Sequence, residues 1–395
     1  MRHFCSPSGL PAAGRDAELL RLGTKNMKDV RYKIVDSILK INGGDWDSIF
    51  GNIPEGYDFY HTLEKSGFKE FSFYYLVLYQ NENILSIAPL FVADLYLDIV
   101  LKGMAKKIVH FIRRFIPRFF VLKTLFCGSP FGETGVLGIR KGFENTSALI
   151  HQIAEVMGKF SRKNKIPFIV FKDFLKDDTF FLDSLKEKGF LKIDSFPSVR
   201  MELNFHSLEH YFQSLTYSTR KDLQRKIKKA YSQGHLTIKT VESVEDIIDD
   251  VYRLYLNTYH ASEVKFEFLT KGFFINVSHY LKPHTQYFLY YVGDRLAAFN
   301  LCFVYDDLMI DKFIGFDYEI ARPYSLYFVS WCFNIEWCLK HSIQFYQTGQ
   351  TDYEPKTKLG GSLVPLYAYF KHNNFFFNLF LKLLAIGLLK PNASG

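Results

Sequence analysis

Asp311 and Asp317 bracket the apolar run from Leu308 to Phe316. A carboxylate beside a hydrophobic strand contributes nothing to packing, so either one is a candidate base. Downstream, Gln347-Thr348-Gly349-Gln350-Thr351-Asp352-Tyr353 crowds amides, hydroxyls, a carboxylate and a phenol into one short segment, with Lys356 close behind. Between the two groups, Arg322, Tyr324 and Ser325 precede the nearly all-apolar stretch from Leu326 to Leu339. A cation at a helix start suits anionic groups, because unpaired N–H groups and the positive end of the helix dipole point there. Gly, Thr and Asp also recur in turns for backbone reasons alone. These residues therefore carry weight as a cluster more than singly. No Ser-His-Asp order, HExxH or Walker loop is present. No metal site is expected, and His260 and His279, on helical stretches, read as surface or core residues.

The elements that would position the cluster can be read in order. Tyr287 to Val292, the turn Gly293-Asp294-Arg295 and Leu296 to Val304 form an aromatic hairpin, and Leu308 to Phe316 adds a third strand. An irregular loop, residues 317–324, leads to Ser325 as N-cap of a buried helix that Lys340-His341 ends. Ile343 to Tyr346 is a further short strand. The front half repeats this order: a hairpin (Phe71 to Tyr79, Ile84 to Val92), a strand from Leu125 to Ser129, the loop 130–135, a helix from Asn145 to about Lys163, and a strand from Phe168 to Phe171. Phe73 to Val92 mirrors Tyr287 to Val304, which suggests two copies of one α/β unit. Residues 29–41 show helical spacing, and 58–66 are a second helix.

Composition bounds the class. A chain of 395 residues accommodates two domains, and 48% hydrophobic with 23% charged residues is the balance of a core-forming protein. The expected division is residues 27–200 and 201–372, with a Gly-, Pro- and Ala-rich leader at 1–26 (disordered, or preceding a true start at Met27) and an apolar tail at 373–395. A net charge of +8 points to anionic partners, phosphates, tRNA or a membrane face rather than DNA. Cys5, Cys127, Cys302, Cys332 and Cys338 show no CxxC spacing and read as reduced core residues of a cytoplasmic protein.

The densest charge lies between the halves. Arg220, Lys221, Arg225, Lys226, Lys228 and Lys229 fall on one predicted amphipathic helix, capped by Ser218 or Thr219 and stopped at Gly234. Leu223, Ile227, Ala230 and Tyr231 share one face, while Lys221, Arg225, Lys228 and Lys229 lie opposite. This is a basic stripe toward a phosphate-bearing ligand. Residues 102–123 mix Lys and Arg with Ile, Val, Phe and Leu, and the apolar tail from Phe375 to Leu389 is too short to span a bilayer. Both suggest peripheral contact with an anionic inner membrane face.

Four places in this order resemble the GNAT-superfamily acyltransferases grouped with the Fem peptidoglycan-bridge aminoacyltransferases. They are the hairpin and strand from Tyr287 to Phe316, the basic segment Thr219-Arg220-Lys221-Asp222-Leu223 with Arg225 to Ala230, the helix and strand from Asn334 to Tyr346, and Lys356-Thr357-Lys358-Leu359-Gly360. The resemblance covers most of residues 40–372. It implies an α/β (α+β) fold of tandem GNAT-like domains, each a mixed twisted sheet flanked by helices, with the donor site in the second. It implies an enzyme that transfers an acyl group from acyl-coenzyme A to an amine acceptor without metal, or a Fem-like relative using aminoacyl-tRNA. A third outcome is a binding protein on the same fold. Acyl transfer needs a base (Asp311 or Asp317), an acid to the leaving group (Tyr353) and a cation for phosphate or oxyanion (Lys356). Arg322, Tyr324, Ser325, Gln347, Thr348 and Gln350 would bind the donor. Arg220, Lys221, Arg225, Lys228 and Lys229 would meet phosphate or tRNA. One departure stands out: the loop that cradles the diphosphate in GNAT proteins is glycine-bearing, whereas residues 318–325 here contain no glycine.

Overall fold

Where residues 29–41 predict a helix, the chain forms strand β1 (Arg31–Val35) and a single 3-10 turn, Ile38–Lys40. Pairing decides the difference. β1 completes the edge of β2 (Ser72–Gln80), from Arg31 opposite Tyr79 to Val35 opposite Tyr75, and that tertiary gain exceeds the weak local preference. Glu64 then fixes the turn by accepting from the Ser37 hydroxyl, the Ile38 N–H and the Tyr75 hydroxyl, each at 2.7 Å. The computed structural model describes residues 30–97, 103–116, 118–262, 268–379 and 381. The expectations for residues 1–26, and for the tail beyond 381, lie outside that range.

Helices α1 (Gly43–Phe50) and α2 (Tyr57–Lys65) lead into β2 and its hairpin partner β3 (Asn83–Tyr96). After α3 (Gly103–Arg113) come β4 (Val121–Cys127), the short β5 (Gly138–Ile139), α4 (Thr146–Lys163, capped by Asn145) and β6 (Phe168–Leu175). β7 (Leu191–Asp194) and β8 (Ser198–Glu202) close the first half. The second half holds α5 (Tyr217–Ser232), β9 (Leu236–Val241), α6 (Ile248–Ala261), α7 (Lys271–Tyr280), β10 (Thr285–Val292), β11 (Arg295–Tyr305) and β12 (Leu308–Phe316). Helix α8 (Leu326–Lys340), β13 (Phe345–Thr348), α9 (Tyr353–Lys358), β14 (Ser362–Val364) and β15 (Leu366–His372) follow.

The strands make two mixed sheets. The first runs β1-β2-β3-β4-β6-β15-β7, with β5 on β3; the second runs β14-β8-β13-β12-β11-β10-β9. Each contains a hairpin, a third antiparallel strand, a helix (α4 or α8) and a parallel return strand, β4 with β6 and β12 with β13. The duplication read from the sequence is visible in this shared order. The sheets do not part at 200/201, however. β8 spans that point and sits in the second sheet, whereas β15, near the end of the chain, lies between β6 and β7 of the first. The first sheet is completed by a strand from the far end of the chain, while β8 joins the second sheet across the expected boundary. Such a crossing leaves no trace in composition, so a cut by composition misses it.

The hairpins read as continuous apolar runs because both their faces are covered. Tyr75 and Val77 face a core shared by the two halves, with Trp46, Tyr60, Phe273, Tyr287, Phe299 and Phe303. Leu76 and Leu78 face Leu149, Ile153 and Met157 of α4. Phe288 and Tyr290 face Val329, Cys332 and Ile335 of α8. Burying each such side chain contributes about 1.5–3 kcal/mol.

α6 lies directly on β12. A Cβ at Gly315 would meet the Phe299 ring at 2.3 Å and the Leu254 and Tyr255 backbone at 2.7 and 2.8 Å. Backbone cannot yield there, so Gly315→Ala should cost about 1–3 kcal/mol, read as a lower urea midpoint with an unchanged m-value.

Candidate functional site

The parallel pairing of β12 and β13 ends at Asp311 opposite Thr348. β12 runs on to Phe316 while the chain leaves β13 at Gly349, and the strands splay. A cleft of about 520 Å³ opens at that fork, walled by Tyr327, Ser330 and Trp331 of α8, residues 348–353, Lys356 and the end of α6.

Asp311 lies on the cleft floor. Lys312 is the extra residue of a bulge in β12, where the register to β11 shifts between Leu301 and Cys302. A bulge re-aims side chains that strict alternation would send to opposite faces. Asn300 Nδ2 donates to Asp311 Oδ1 at 2.8 Å, and the Tyr346 hydroxyl (2.9 Å) and Asn334 Nδ2 (3.2 Å) donate to Oδ2. Burial raises the Asp311 pKa, against these hydrogen bonds and the charge of Lys356. The buried Lys356 ammonium donates to the Gly349 carbonyl at 2.8 Å, and burial lowers its pKa. A carboxylate made more basic and an ammonium made more acidic thus share one opening, as proton transfer near neutrality requires. Thr348 Oγ1, Tyr327 Oη and Gln350 Nε2 border the same cleft as buried polar atoms without a hydrogen-bond partner. Such groups are rare, because each costs about 1–3 kcal/mol unpaired.

The structure distributes the other predicted residues widely. Asp317 is not in the cleft; its buried carboxylate accepts from Arg295 at 3.1 Å and lies 3.6 Å from Arg253, an internal ion pair that locks the end of β12. Tyr353 lines the cleft, but its hydroxyl is aimed at the carbonyls of Gln350 (2.6 Å) and Pro197 (3.1 Å), and burial pushes its pKa up to about 12. It holds its proton and shapes the segment rather than standing free as an acid. Gln347 turns toward the first half, donating to Glu133 at 3.2 Å. Arg322 is exposed, 5.3 Å over the Tyr318 ring. Tyr324 packs partly into the α8 cluster. Ser325 occupies the expected capping position with φ 52°, left-handed, and its side chain makes no cap hydrogen bond. Residues expected as a loop include a helical turn, Tyr318–Ala321. The N–H groups of Arg322, Tyr324 and Ser325 all bond within this turn.

On α5, Thr216 rather than Ser218 or Thr219 is the cap, and the helix packs Leu223 and Ala230 inward. Arg225 and Lys226 both pair with Asp222, at 2.6 and 2.7 Å, so Arg225 is partly neutralised. Lys221, Lys228 and Lys229 are exposed and Arg220 is half-buried. Gln233, at the helix end, donates to Pro323 O at 3.3 Å and ties α5 to the turn ahead of α8.

Sequence reasoning missed a buried network. The Lys312 ammonium donates to Glu133 Oε1 at 2.5 Å and to the Phe131 carbonyl, and the Glu133 N–H donates to Glu55 Oε1 at 2.8 Å. One cation thus faces two buried carboxylates from the first half. Polar residues inside apolar runs (Asn300, Asn334, Lys312) were the available signal. The first half's own fork is closed: the Gly135 N–H donates to Asp173 O at 2.6 Å, and a Cβ there would meet the Phe174 ring at 2.5 Å. Among the described residues no group of three or more His, Cys, Asp or Glu is placed to hold a metal, and no helix is long and apolar enough to cross a membrane. Cys127, Cys302, Cys332 and Cys338 are buried free thiols.

Comparison with known proteins bears on the fold. Residues 217–357 match the family model described as acetyltransferase (GNAT) domain. Among solved structures, FemX matches with a TM-score of 0.53 at 11% identity, covering 85% of this chain and 96% of its own. A tandem GNAT protein from the clavulanic acid biosynthesis pathway matches at 0.52 and 10% identity, covering 87% and 99%. A conserved protein of unknown function from Bacteroides thetaiotaomicron VPI-5482 matches at 0.51 and 9% identity, covering 86% and 99%. No curated protein sequence matches significantly. Residues 217–357 therefore match a GNAT acetyltransferase domain, and the chain shares the fold of FemX and of the tandem GNAT protein.

Burial raises the Glu55 pKa, with Lys312 opposing it. The folded chain thus retains a proton there that the unfolded chain releases. That contribution to stability is complete below the ordinary glutamate value of about 4.3 and is lost as pH rises through the elevated one. Glu55→Gln should flatten this fall in urea midpoints measured against pH. Lys312→Met should cost about 3–5 kcal/mol, because it leaves the buried Glu133 carboxylate without its cation.

Proposed function

We propose that the chain is an N-acyltransferase that moves an acyl group from a coenzyme A thioester to an amine at the β12–β13 fork. One observation carries the reading: a half-buried carboxylate and a buried ammonium, shifted toward each other in acidity, line one cleft where two parallel strands part. The amine attacks the thioester carbonyl, and Asp311 accepts the proton it sheds. The Lys356 ammonium offsets the developing oxyanion. The carbon–sulfur bond then breaks, and the leaving thiolate takes up the proton held by Asp311, which restores the carboxylate, while the unpartnered Thr348 and Tyr327 hydroxyls border the cleft. The donor's phosphates would lie toward Arg322 and the first amides of α8. Four buried thiols suit a reducing compartment and support action in the cytoplasm. The amine acceptor is a small molecule admitted through the open end of the cleft.

A second reading has its own support. The turn before α8 uses its amides internally and has no glycine, while exposed cations of α5 sit beside it through the Gln233–Pro323 tie. A donor that binds mainly by backbone phosphates, aminoacyl-tRNA, would use that surface and need less of the turn.

Thermal-shift titration with acetyl- and longer acyl-coenzyme A, beside deacylated tRNA, distinguishes them. A ligand at about a hundred times its dissociation constant should stabilise by about 2.7 kcal/mol. A shift with the thioesters that Arg322→Ala weakens supports the first reading. A shift with tRNA alone, lost on neutralising Lys228 and Lys229, supports the second, and no shift with either favours a non-catalytic binding protein. With the donor known, kcat/KM should rise with pH through an ionisation above the ordinary aspartate value of about 3.9. It should fall again below the ordinary lysine value of about 10.4 as Lys356 loses its proton. Asp311→Asn should remove the rising limb and about 10²–10⁴ of the rate.

A further inference from the structure

Helix α3 shows its large apolar side chains to solvent. Val109 is buried beneath it, whereas Ile108, Phe111 and, just past its end, Phe115 are 52%, 59% and 74% exposed. Their spacing places them on one stripe at the helical period, with exposed Lys107, His110 and Arg114 along its flank. A helix built only to pack on its own domain turns that stripe inward. The turn that follows is held in place: Arg113 donates to the carbonyls of Phe119 (2.9 Å) and Phe120 (3.2 Å) and lies 5.0 Å over the Tyr96 ring.

A second aromatic group borders the same region. Phe375 and Phe376 are 74% and 77% exposed in the helical turn after β15. Leu381, a little further on, packs against the sheet face made by Phe91, Phe126, Phe168 and Val170. Leu95 and Leu122, the paired residues near the base of the α3 excursion, pack against that same face. Residues next in the chain to both exposed groups therefore pack on one face of the first sheet.

We infer that this side docks on an anionic lipid surface, with the Phe and Ile side chains entering the interface and Lys107 and Arg114 meeting headgroups. Charge selects the occupant. The sequence from 103 to 123 contains no Asp or Glu, and Lys107 and Arg114 are exposed beside the stripe. An exposed stripe of aromatic and aliphatic side chains flanked by cations has the form of an in-plane interfacial helix.

The test is flotation of the full chain with vesicles of phosphatidylcholine alone or with phosphatidylglycerol added, at low and high salt. Binding is expected only with phosphatidylglycerol and should weaken at high salt. Phe111→Ser with Phe115→Ser should abolish it with the thermal midpoint unchanged. Lys107→Glu and Arg114→Glu should each weaken it by about fivefold or more, the effect of one cation near such a surface. Failure to float with either vesicle overturns the proposal, as does a serine variant that binds like the parent. If the serine variant instead dissociates an oligomer seen by light scattering while vesicle binding is absent, the face joins two copies and the lipid reading falls.

Discussion

The crossing of β15 into the first sheet, with β8 tying the start of the second, is the constraint on which the rest of this molecule depends. β15 hydrogen-bonds to both β6 and β7 of the first sheet, and β8 to both β13 and β14 of the second. Removing either strand would expose two ladders of backbone groups, each of which must then find water or another partner. The apolar core shared by both halves, with Phe59 and Phe303 rings 6.4 Å apart, packs over this framework. The two sheets cannot rotate far without breaking main-chain pairs, so the cleft is shaped by a fixed arrangement and not by a loose hinge.

That rigidity allows polar groups to sit where they would otherwise be costly. Asp311 is acceptable in its apolar surroundings because three donors from β11, α8 and β13 converge on it. Those elements belong to one sheet and the helix that covers it, so the carboxylate is oriented by the fold itself. Lys312, displaced by the bulge, reaches across to Glu133 and ties the first half to the strand that bears the candidate base. The first half, whose own fork is filled by its loop, thus acts as a support for the second. Duplication followed by specialisation of one copy gives such an asymmetry.

Local pattern made much of this readable. The two hairpins, β12, α4 and α8 follow from apolar runs separated by turn residues, and Asp311 and Lys356 are conspicuous by type and place. Asp317 was equally conspicuous and turned out to close an ion pair with Arg295, because a buried carboxylate serves a guanidinium as well as a substrate. The left-handed Ser325, the bonded hydroxyl of Tyr353 and the inward turn of Gln347 depend on neighbours distant in sequence. β1 was misread because its pairing with β2 outweighed its spacing. The crossing of β15 into the first sheet was invisible, since that strand would look the same in either sheet.

The crossing of β15 also orders events at the ribosome. β6 and β7 emerge long before β15, which lies almost 180 residues beyond β7. At about 5–20 residues per second, the first sheet waits roughly ten to forty seconds with a gap between two of its strands. Until β15 arrives, the nascent chain carries an open, aromatic-rich β edge, the kind of surface that recruits a neighbouring chain's strand instead of its own. For this protein, yield in a cell should therefore depend on how that unfinished edge is shielded as much as on the stability of the finished fold.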